Sequence, residues 1–441
     1  MRSLVKHSKF NLVFSFNSTH DLVYNPLYGS LLLVDKEVGL AIKRGDVTRV
    51  SSDPELYSQL LSAGVLVEDS VAEEELYALE SRESRFTSKA IAMFLSLTSK
   101  CNLACKYCYQ SLRPSEGGRD LSESAWGTLY GFLERRVKVS AKAVAIALYG
   151  GEPLLNASMA KRVARDLNKL IAEYGVKGEL TLVTNGTVFN RDVEEVVSLV
   201  DTIQVTVDGP REVHNERRPF KWGGGSFDSI MENTLRFLDN YSKRVGVRVN
   251  VDEHNIDYAK GLVDFLVELG LEKKLYALDF SPVLPDQAET YNPLKTSRNY
   301  HEYIVSISRK IVENLEYAVD KGFKITKVFL KGPCMCKYVN CYAVDEELNL
   351  YTCPAYMYGE PVGKVLSEKA VVLSPERFTP VVYDPECVKG CKYAPMCYGG
   401  CIYLRSKNVP TCMRTLYGEE YLERLLRAYA ISRYREVVGY A

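Results

Sequence analysis

The sequence predicts an α/β fold built on six parallel strands, because strand-like and helix-like segments alternate between about residues 88 and 290. Each predicted strand is a short apolar run, and most are followed by an amphipathic stretch of helical period. Such alternation is typical of β/α units that share one parallel sheet. The six predicted strands cover residues 90–97, 143–148, 180–183, 202–207, 245–251 and 277–280.

Composition excludes several classes of protein. The chain has 441 residues, which predicts two or three domains, and Lys+Arg equals Asp+Glu at 56 each. This balance gives no electrostatic reason to expect a nucleic acid or an anionic membrane as partner. No apolar run approaches the roughly 18–20 residues that span a bilayer. The N-terminus has no long apolar core, so we expect no secretory signal.

Cysteine usage points to metal rather than disulfides. Twelve cysteines are present, but none precedes Cys101, and nine lie between Cys334 and Cys412. Such clustering in a large chain without a secretory signal favours metal ligation in a reducing compartment. We therefore expect a cytoplasmic protein.

The segments outside the parallel sheet are predicted from turn residues and periodicity. Residues 1–85 read as a small α+β domain, with a strand at 10–16, a hairpin at 31–34 and 38–42, and helices at 54–61 and 73–82. The sheet domain covers 86–295. A bridging helix lies within 296–333, a Cys-rich module covers 334–415, and a C-terminal helix occupies 416–441.

Three cysteines follow the first predicted strand in one short loop. Cys101, Cys105 and Cys108 are separated by three and two residues. Four thiolates complete an iron–sulfur cubane, so three leave one iron without a protein ligand. That open iron can chelate a small molecule, as an open zinc position admits water or substrate. A zinc knuckle or a redox-sensing pair is the alternative.

This C-x3-C-x2-C loop, with Tyr107 before the third cysteine, resembles the signature of the radical S-adenosylmethionine (SAM) superfamily. The resemblance implies a partial (β/α)6 barrel, which six strands fit. It also implies that SAM binds the open iron of a [4Fe–4S] cluster and is cleaved reductively to a 5′-deoxyadenosyl radical. An electron donor such as flavodoxin or ferredoxin is then expected.

Further motifs follow the other strands, at the edge where ligands collect in such barrels. Gly150-Gly151-Glu152-Pro153 resembles the GGEP motif that receives the SAM amino group. Asn185 lies in a polar turn able to face the ligand. Thr206 begins a segment resembling the family's S-x-D-G-P…H-x3-R pattern, with threonine where serine is usual. In that pattern Arg218 matches the arginine that meets the SAM carboxylate; Arg217 is the register-slipped rival, and a surface ion pair is the alternative for each.

The Cys-rich module resembles the SPASM domain, which carries two auxiliary [4Fe–4S] clusters. The resemblance assigns Cys341, Cys353 and Cys401 to the first cluster, with Cys336 as fourth ligand and Cys334 as its alternative. Two zinc sites would use the same thiols. Leu348 stands where a turn glycine is usual. The resemblance assigns the second cluster to Cys387, Cys391, Cys397 and Cys412.

Together these resemblances imply an enzyme that modifies a peptide or protein, closing a thioether, carbon–carbon or carbon–oxygen link. Residues 1–85 are similar to leader-peptide recognition domains, and a cap on the barrel is the alternative. A sulfatase-maturing enzyme is a second hypothesis, but Pro354 stands where that branch has an aspartate base, and only Asp345 or Glu346 could substitute. A non-catalytic electron carrier is a third. No catalytic side chain is assigned.

Overall fold

A computed structural model describes residues 5–87, 89–112, 117–284, 291–325, 334–367, 370–372, 374, 390–409 and 411–438. Cys387, one of the predicted ligands, lies outside these residues. None of the helices in the described ranges is both long and apolar enough to cross a membrane.

The first 87 residues contain a three-stranded antiparallel sheet covered by short helices. Its strand order is β2-β3-β4, and a separate pair joins β1 to β5. Asp53 caps α3 by accepting hydrogen bonds from the amides of Glu55 and Leu56. The elements are β1 (Val5–His7), β2 (Leu12–Ser15), β3 (His20–Asn25), β4 (Ser30–Asp35), α1 (Lys36–Arg44), α2 (Val47–Ser51), α3 (Pro54–Ser62), β5 (Leu66–Glu68) and α4 (Glu73–Thr87).

The predicted hairpin at residues 31–42 is wrong in its second half, because α1 follows β4 directly. The true partner of β4 is β3, across the turn at 26–29. Helix signals were present in the sequence: Glu37 lies in the first turn, basic residues occupy the last turn, and Gly45 ends the helix at φ 72°. The apolar run at 38–42 is too short for periodicity alone to separate strand from helix.

The six predicted strands are present and parallel, which confirms the partial-barrel fold class. They lie in the order β11-β10-β9-β8-β7-β6, so their C-terminal ends share one edge. On β6 the side chains of Ile91, Met93 and Leu95 face the helices and are at most 2% exposed. The strands are β6 (Ala90–Thr98), β7 (Ala143–Gly150), β8 (Lys177–Thr184), β9 (Thr202–Thr206), β10 (Arg244–Val251) and β11 (Ala277–Pro282); the helices are α5 (Glu123–Val139), α6 (Ala157–Tyr174), α7 (Arg191–Leu199), α8 (Arg211–Arg217), α9 (Phe227–Asp239) and α10 (Ala259–Glu268).

The Cys-rich module continues the barrel sheet. Strand β12 (Cys341–Val344) runs parallel to β6, with Cys341 opposite Ala92 and Val344 opposite Leu95. Strands β13 (Asn349–Tyr351), β14 (Gly363–Val365) and β15 (Ala370–Val372) follow antiparallel. The residues after β12 therefore lie at the same edge as the loops that follow the barrel strands.

The N-terminal sheet packs on the Cys-rich module. Apolar side chains of β2 and β3 share a core with Tyr393, Met396 and the half-buried thiols of Cys391 and Cys397. From α4, the Tyr77 hydroxyl donates a hydrogen bond of 3.0 Å to the Ala394 carbonyl. The N-terminal elements thus cover the region of the predicted second auxiliary cluster.

The C-terminal helix packs along the bridging helix. Arg424 on the former and Glu316 on the latter form a forked ion pair, and Leu422 and Leu426 are buried. Gly418, at φ 72°, kinks the C-terminal helix. The elements are α11 (Tyr300–Asp320), α12 (Ala394–Cys397), α13 (Ile402–Ser406) and α14 (Met413–Val438).

Candidate functional site: the cysteine loop and the carboxyl edge of the sheet

The loop that carries the first three cysteines is fixed by backbone hydrogen bonds to the segment after α8. The amides of Ala104 and Lys106 donate to the carbonyls of Pro219 and Arg217, at 2.8 and 3.0 Å. In return the Lys221 amide donates to the Asn102 carbonyl at 3.0 Å. This pairing holds the loop over the C-terminal ends of the strands.

The three thiols of this loop lie near one another. Cys101, Cys105 and Cys108 are half-buried. Cys101 and Cys108 act electrostatically on Cys105, and Cys108 acts on Cys101. Burial raises the pKa of the Cys105 thiol to about 12, and Arg218 opposes this shift. A buried thiol becomes a thiolate when a metal cation compensates its charge. The donor set therefore fits a cluster held by three cysteines.

Among the described residues, no group of three or more His, Cys, Asp or Glu side chains is arranged to bind one metal ion. Thiolates on a cubane bind different iron atoms and need not converge on a single point. The cluster ligands therefore stay predictions.

The two motif glycines are required by the cysteine loop itself. A Cβ on Gly150 would lie 2.2 Å from the Thr98 carbonyl oxygen, and one on Gly151 would lie 2.1 Å from that of Lys100. Gly150 also has φ 132°. From the sequence, these glycines are predicted to let the backbone approach a ligand closely. In the structure the closely approaching group is the backbone of residues 98–100.

Glu152 is fully buried and ties two loops together. Its Oε1 accepts hydrogen bonds from the Leu154 amide and the Thr184 hydroxyl, at 3.0 and 2.8 Å. Its Oε2 accepts one from the Asn185 amide at 2.7 Å. This places Asn185 so that its Nδ2 lies 3.8 Å from Cys101 Sγ and can donate to it. Asn185 is thus positioned to stabilise a thiolate at the first cysteine.

Arg218 and Tyr107 meet beneath the cysteine loop. Arg218 is 7% exposed. Its Nη1 donates to the Tyr107 hydroxyl at 2.6 Å and lies 3.6 Å from Asp208 Oδ2. The Tyr107 hydroxyl donates to the same carboxylate and accepts from Asn250 Nδ2 at 3.1 Å. The buried Nε of Arg218 has no hydrogen-bond partner in the described chain, so the guanidinium retains a free donor.

The guanidinium of Arg217 binds a different carboxylate from the one beside Arg218. Its guanidinium forms a forked ion pair with Asp252, at 3.1 and 2.8 Å, and donates to Tyr291 at 2.9 Å. The surface-ion-pair alternative does not describe either arginine, because both are buried. Arg217 also lies over the Tyr107 ring, 4.9 Å from its centroid, whereas Arg218 is the arginine that acts electrostatically on the thiols of Cys101 and Cys105.

Asp208 and His214 were not among the predicted site residues, although both belong to the motif that ends at Arg218. Asp208 is fully buried, and its Oδ1 accepts from the Asn250 amide at 2.8 Å. Burial, together with the nearby arginines, lowers the pKa of His214 well below its usual value, so the ring is neutral. Its Nδ1 accepts from the Asp208 amide, and its other nitrogen faces Ser226, whose hydroxyl donates to the Arg218 carbonyl. Thr206 is buried at the end of β9, two residues before Asp208.

A group of aromatic and acidic side chains, not predicted from the sequence as a group, lies between β7, β6 and β12. The hydroxyls of Tyr109 and Tyr149 are 2.8 Å apart. The carboxyl of Glu346, in the turn after β12, accepts from Ser96 and, at 2.9 Å, from Tyr358. Glu346 lines a cavity of about 250 Å³ that also reaches Ser99, Tyr351 and Tyr358. From the sequence, Glu346 is named only as a substitute for the base that Pro354 cannot supply, and the thirty tyrosines give no position.

The structure brings some of the predicted ligands of the first auxiliary cluster near one another. Cys334 acts electrostatically on Cys341, Cys353 and Cys401. Cys353 and Cys401 in turn act on Cys336. The thiols of both Cys334 and Cys336 therefore interact with those of Cys353 and Cys401, and the choice of Cys336 over Cys334 as the fourth ligand stays a prediction. Leu348 adopts φ 64°, the conformation for which glycine is usual, and is 5% exposed.

Some of the predicted ligands of the second auxiliary cluster also lie near one another. Cys397 and Cys412 interact electrostatically, and Cys391 packs in the same apolar cluster as Cys397.

Comparison with known proteins decides the family of the barrel. Residues 95–266 match the radical SAM superfamily. The barrel is a radical SAM domain. The match starts within β6, before the three-cysteine loop, and ends in α10. Membership of this superfamily indicates an enzyme rather than a passive electron carrier.

Three relatives extend the similarity of this radical SAM enzyme beyond the barrel. The radical SAM cyclopropyl synthase TigE of Paramaledivibacter caminithermalis is 21% identical over 79% of this chain and 75% of its own. A cysteine-type anaerobic sulfatase-maturating enzyme of Clostridium novyi is 22% identical over 62% of this chain and 75% of its own. The structure of anSMEcpe with bound AdoMet and Cp18Cys peptide has a TM-score of 0.56 and 18% identity, covering 79% of this chain and 99% of that one. The two curated relatives are a radical SAM synthase and a sulfatase-maturating enzyme, and the solved structure holds AdoMet and a peptide.

Proposed function

We propose that this radical SAM enzyme modifies a ribosomally made peptide by closing a thioether, carbon–carbon or carbon–oxygen bond. The observation that carries the proposal is an open sheet edge with an apolar groove in the N-terminal domain, on the same chain as the cysteine loop. The relative in a solved structure that holds both AdoMet and a peptide supports the same substrate class.

The groove lies between β4 and α3. In the described part of the chain β4 pairs only with β3, so its other edge has free backbone donors and acceptors. A cavity of about 350 Å³ runs along this edge, lined by Leu32, Val34, Leu56 and other side chains. An extended peptide can add to such an edge as a further strand and place alternate side chains in the groove.

The acidic side chains of the groove indicate the charge of the peptide segment that binds there. Asp35, Asp53 and Glu55 line it, and the nearest imidazole, on His20, is paired with Asp35 at 3.4 Å. We infer that the bound segment, a leader, is extended, apolar at alternate positions and basic beside them.

The reaction has to remove two hydrogens from the peptide. When bound, the cluster and SAM supply a 5′-deoxyadenosyl radical, which takes one as a hydrogen atom. The other leaves as a proton and an electron when the new bond closes. The thiols of the Cys-rich module would hold the acceptor for that electron, since full thiolate ligation suits electron transfer.

The test is anaerobic reconstitution, followed by incubation with dithionite, SAM and the short peptides encoded beside the gene. The expected result is deoxyadenosine together with a peptide lighter by a pair of hydrogen atoms. Cleavage of SAM without a mass change in any of these peptides would contradict a peptide substrate.

Replacing Leu56 by glutamine is expected to weaken binding of the precursor peptide about tenfold or more. Burying a leucine side chain is worth about 1.5–3 kcal/mol, and 1.4 kcal/mol is a factor of ten. Fluorescence anisotropy of a labelled precursor measures the effect. Ser58→Gln, exposed on the same helix and outside the groove, is the matched control. Equal affinities for the two variants would place the leader elsewhere.

One observation favours a second candidate, formylglycine formation as in sulfatase-maturating relatives. That chemistry needs a base, and Pro354 supplies none. Glu346 is buried, and burial raises the pKa of its carboxyl, which brings it nearer the range of a general base. The same carboxylate would accept the proton in either reaction.

Glu346→Gln is therefore expected to lower product formation by about a hundredfold or more, the usual contribution of a general base, while deoxyadenosine still forms. A base must be deprotonated, so the wild-type product rate should fall as pH drops through the raised pKa. Product rates against pH in both proteins check this. Glu347→Gln, an exposed neighbour paired with Arg119, should behave as wild type. An unchanged pH profile in Glu346→Gln would remove Glu346 from the mechanism.

A further inference from the structure

We propose that Lys337 is a buried cation at the junction of the two auxiliary cluster sites and raises the reduction potentials of both clusters. The inference rests on the proposed function, which places two clusters in the Cys-rich module. It assigns a role to a side chain that neither the motifs nor the relatives single out.

Lys337 lies within the Cys-rich module, next to Cys336, and is only 3% exposed. Its ammonium donates a hydrogen bond to the Tyr398 carbonyl. Burial lowers the pKa of Lys337, and among the described residues the thiols of Cys336, Cys397 and Cys334 oppose this shift. An ammonium removed from water needs compensating charge. Thiolates of occupied clusters would provide it.

The turn that binds Lys337 joins the two cluster sites. It covers residues 398–400, between Cys397, a predicted ligand of the second cluster, and Cys401, a predicted ligand of the first. All three residues have positive φ, at 48°, 79° and 78°. A Cβ on Gly400 would lie 2.0 Å from the Thr411 carbonyl oxygen, so this position requires glycine.

In this backbone conformation the carbonyl oxygens of the turn accept hydrogen bonds from cationic side chains. Besides Tyr398 with Lys337, the Gly399 carbonyl accepts from Arg405 Nη2 at 2.5 Å. Lys337 therefore touches the segment that connects one cluster to the other, while its own chain neighbour belongs to the first set of thiols. One charge can act on both clusters from this position.

The sign of the effect follows from charge. A [4Fe–4S] cluster held by four thiolates is negative in both oxidation states and gains one further negative charge on reduction. A fixed cation nearby stabilises the reduced state more than the oxidised one, and net charge is among the main determinants of cluster potential. Because Lys337 is only 3% exposed, solvent screens its charge weakly. Removal of the charge should make both potentials more negative.

The experiment is an EPR-monitored redox titration of the reconstituted full-length protein, with iron content measured in parallel. Added SAM alters only the spectrum of the cluster with the open iron, so the auxiliary signals are identified by their insensitivity to it. Lys337→Met should shift the auxiliary midpoint potentials to more negative values, and Lys337→Arg should leave them near wild type. Lys310→Gln, which removes a half-exposed lysine of the bridging helix that pairs with Asp257, should change neither potential.

Full iron content in Lys337→Met with wild-type potentials would overturn the inference, as would equal shifts in the methionine and arginine variants. If Lys337→Met loses the auxiliary clusters, retention in Lys337→Arg supports the need for a cation, and loss in both contradicts it. Wild-type protein with iron at the three-cysteine loop alone is a different result. It would overturn the auxiliary-cluster assignment, and this inference with it.

Discussion

Replacing Cys105 by alanine is expected to reduce reductive cleavage of SAM to background. Cys105 lies between the other two thiols of the loop and beside Arg218. Two thiolates leave two irons of a cubane without protein ligands, so the cluster is lost or no longer distinguishes one open iron. Deoxyadenosine production under dithionite measures the activity. EPR spectra with and without SAM report the cluster.

The auxiliary clusters serve as an internal control for this variant. Their thiols lie in the Cys-rich module, so iron content should fall by the equivalent of one cluster and their EPR signals should persist. Ala104→Ser, an exposed position in the same loop, should cleave SAM like wild type. Retention of SAM cleavage by Cys105→Ala would remove the three-cysteine loop as the cluster site.

Arg218→Lys is expected to weaken SAM binding by about tenfold or more, whereas Arg217→Lys should leave it nearly unchanged. The buried Nε atoms of Arg218 and Arg217 both have no hydrogen-bond partner in the described chain. The other nitrogens of Arg217 bind Asp252 and Tyr291, whereas Arg218 acts electrostatically on the Cys105 thiol. Lysine cannot present a fork to a carboxylate. One charge-assisted hydrogen bond is worth about 1.5–3 kcal/mol. Equilibrium dialysis of SAM with the reconstituted proteins measures the affinity.

Arg217→Lys provides the matched control, since it is the adjacent residue and equally buried. Its fork binds Asp252, which is fully buried, so lysine should lower the thermal midpoint while SAM affinity holds. Comparable losses of SAM affinity in both variants would contradict the assignment. A larger loss in Arg217→Lys would transfer the role to that residue.

The barrel was predictable because its strands are apolar runs whose buried side chains recur at alternate positions, as on β7 and β10. Each is an apolar run long enough to be recognised without knowledge of its neighbours, and each turn after a strand carries polar residues. The N-terminal region was harder. Residues 38–42 satisfy both a strand and a helix pattern, and packing of Gly39 against Asp21 on β3 is invisible in the sequence.

The joining of two modules was also beyond sequence reasoning. Cys341 was predicted as a ligand of a separate module, but β12 pairs with β6 and extends the barrel sheet. Strand pairing between segments about 250 residues apart leaves no local pattern. The position of Glu346 at the edge that carries the cysteine loop depends on that pairing.

By itself, the sequence determined the kinds of groups available for chemistry: three thiols in one loop, a glycine pair, and adjacent arginines at fixed spacing. Spacing along the chain suffices for these because their geometry is local. The tertiary structure decided which partner each of these groups binds. It placed Asp252 on Arg217, left Arg218 a free donor beside the thiols, and buried Lys337 against the turn between two predicted clusters. Burial and long-range pairing set these roles, since the energy of a charge depends on what surrounds it in space.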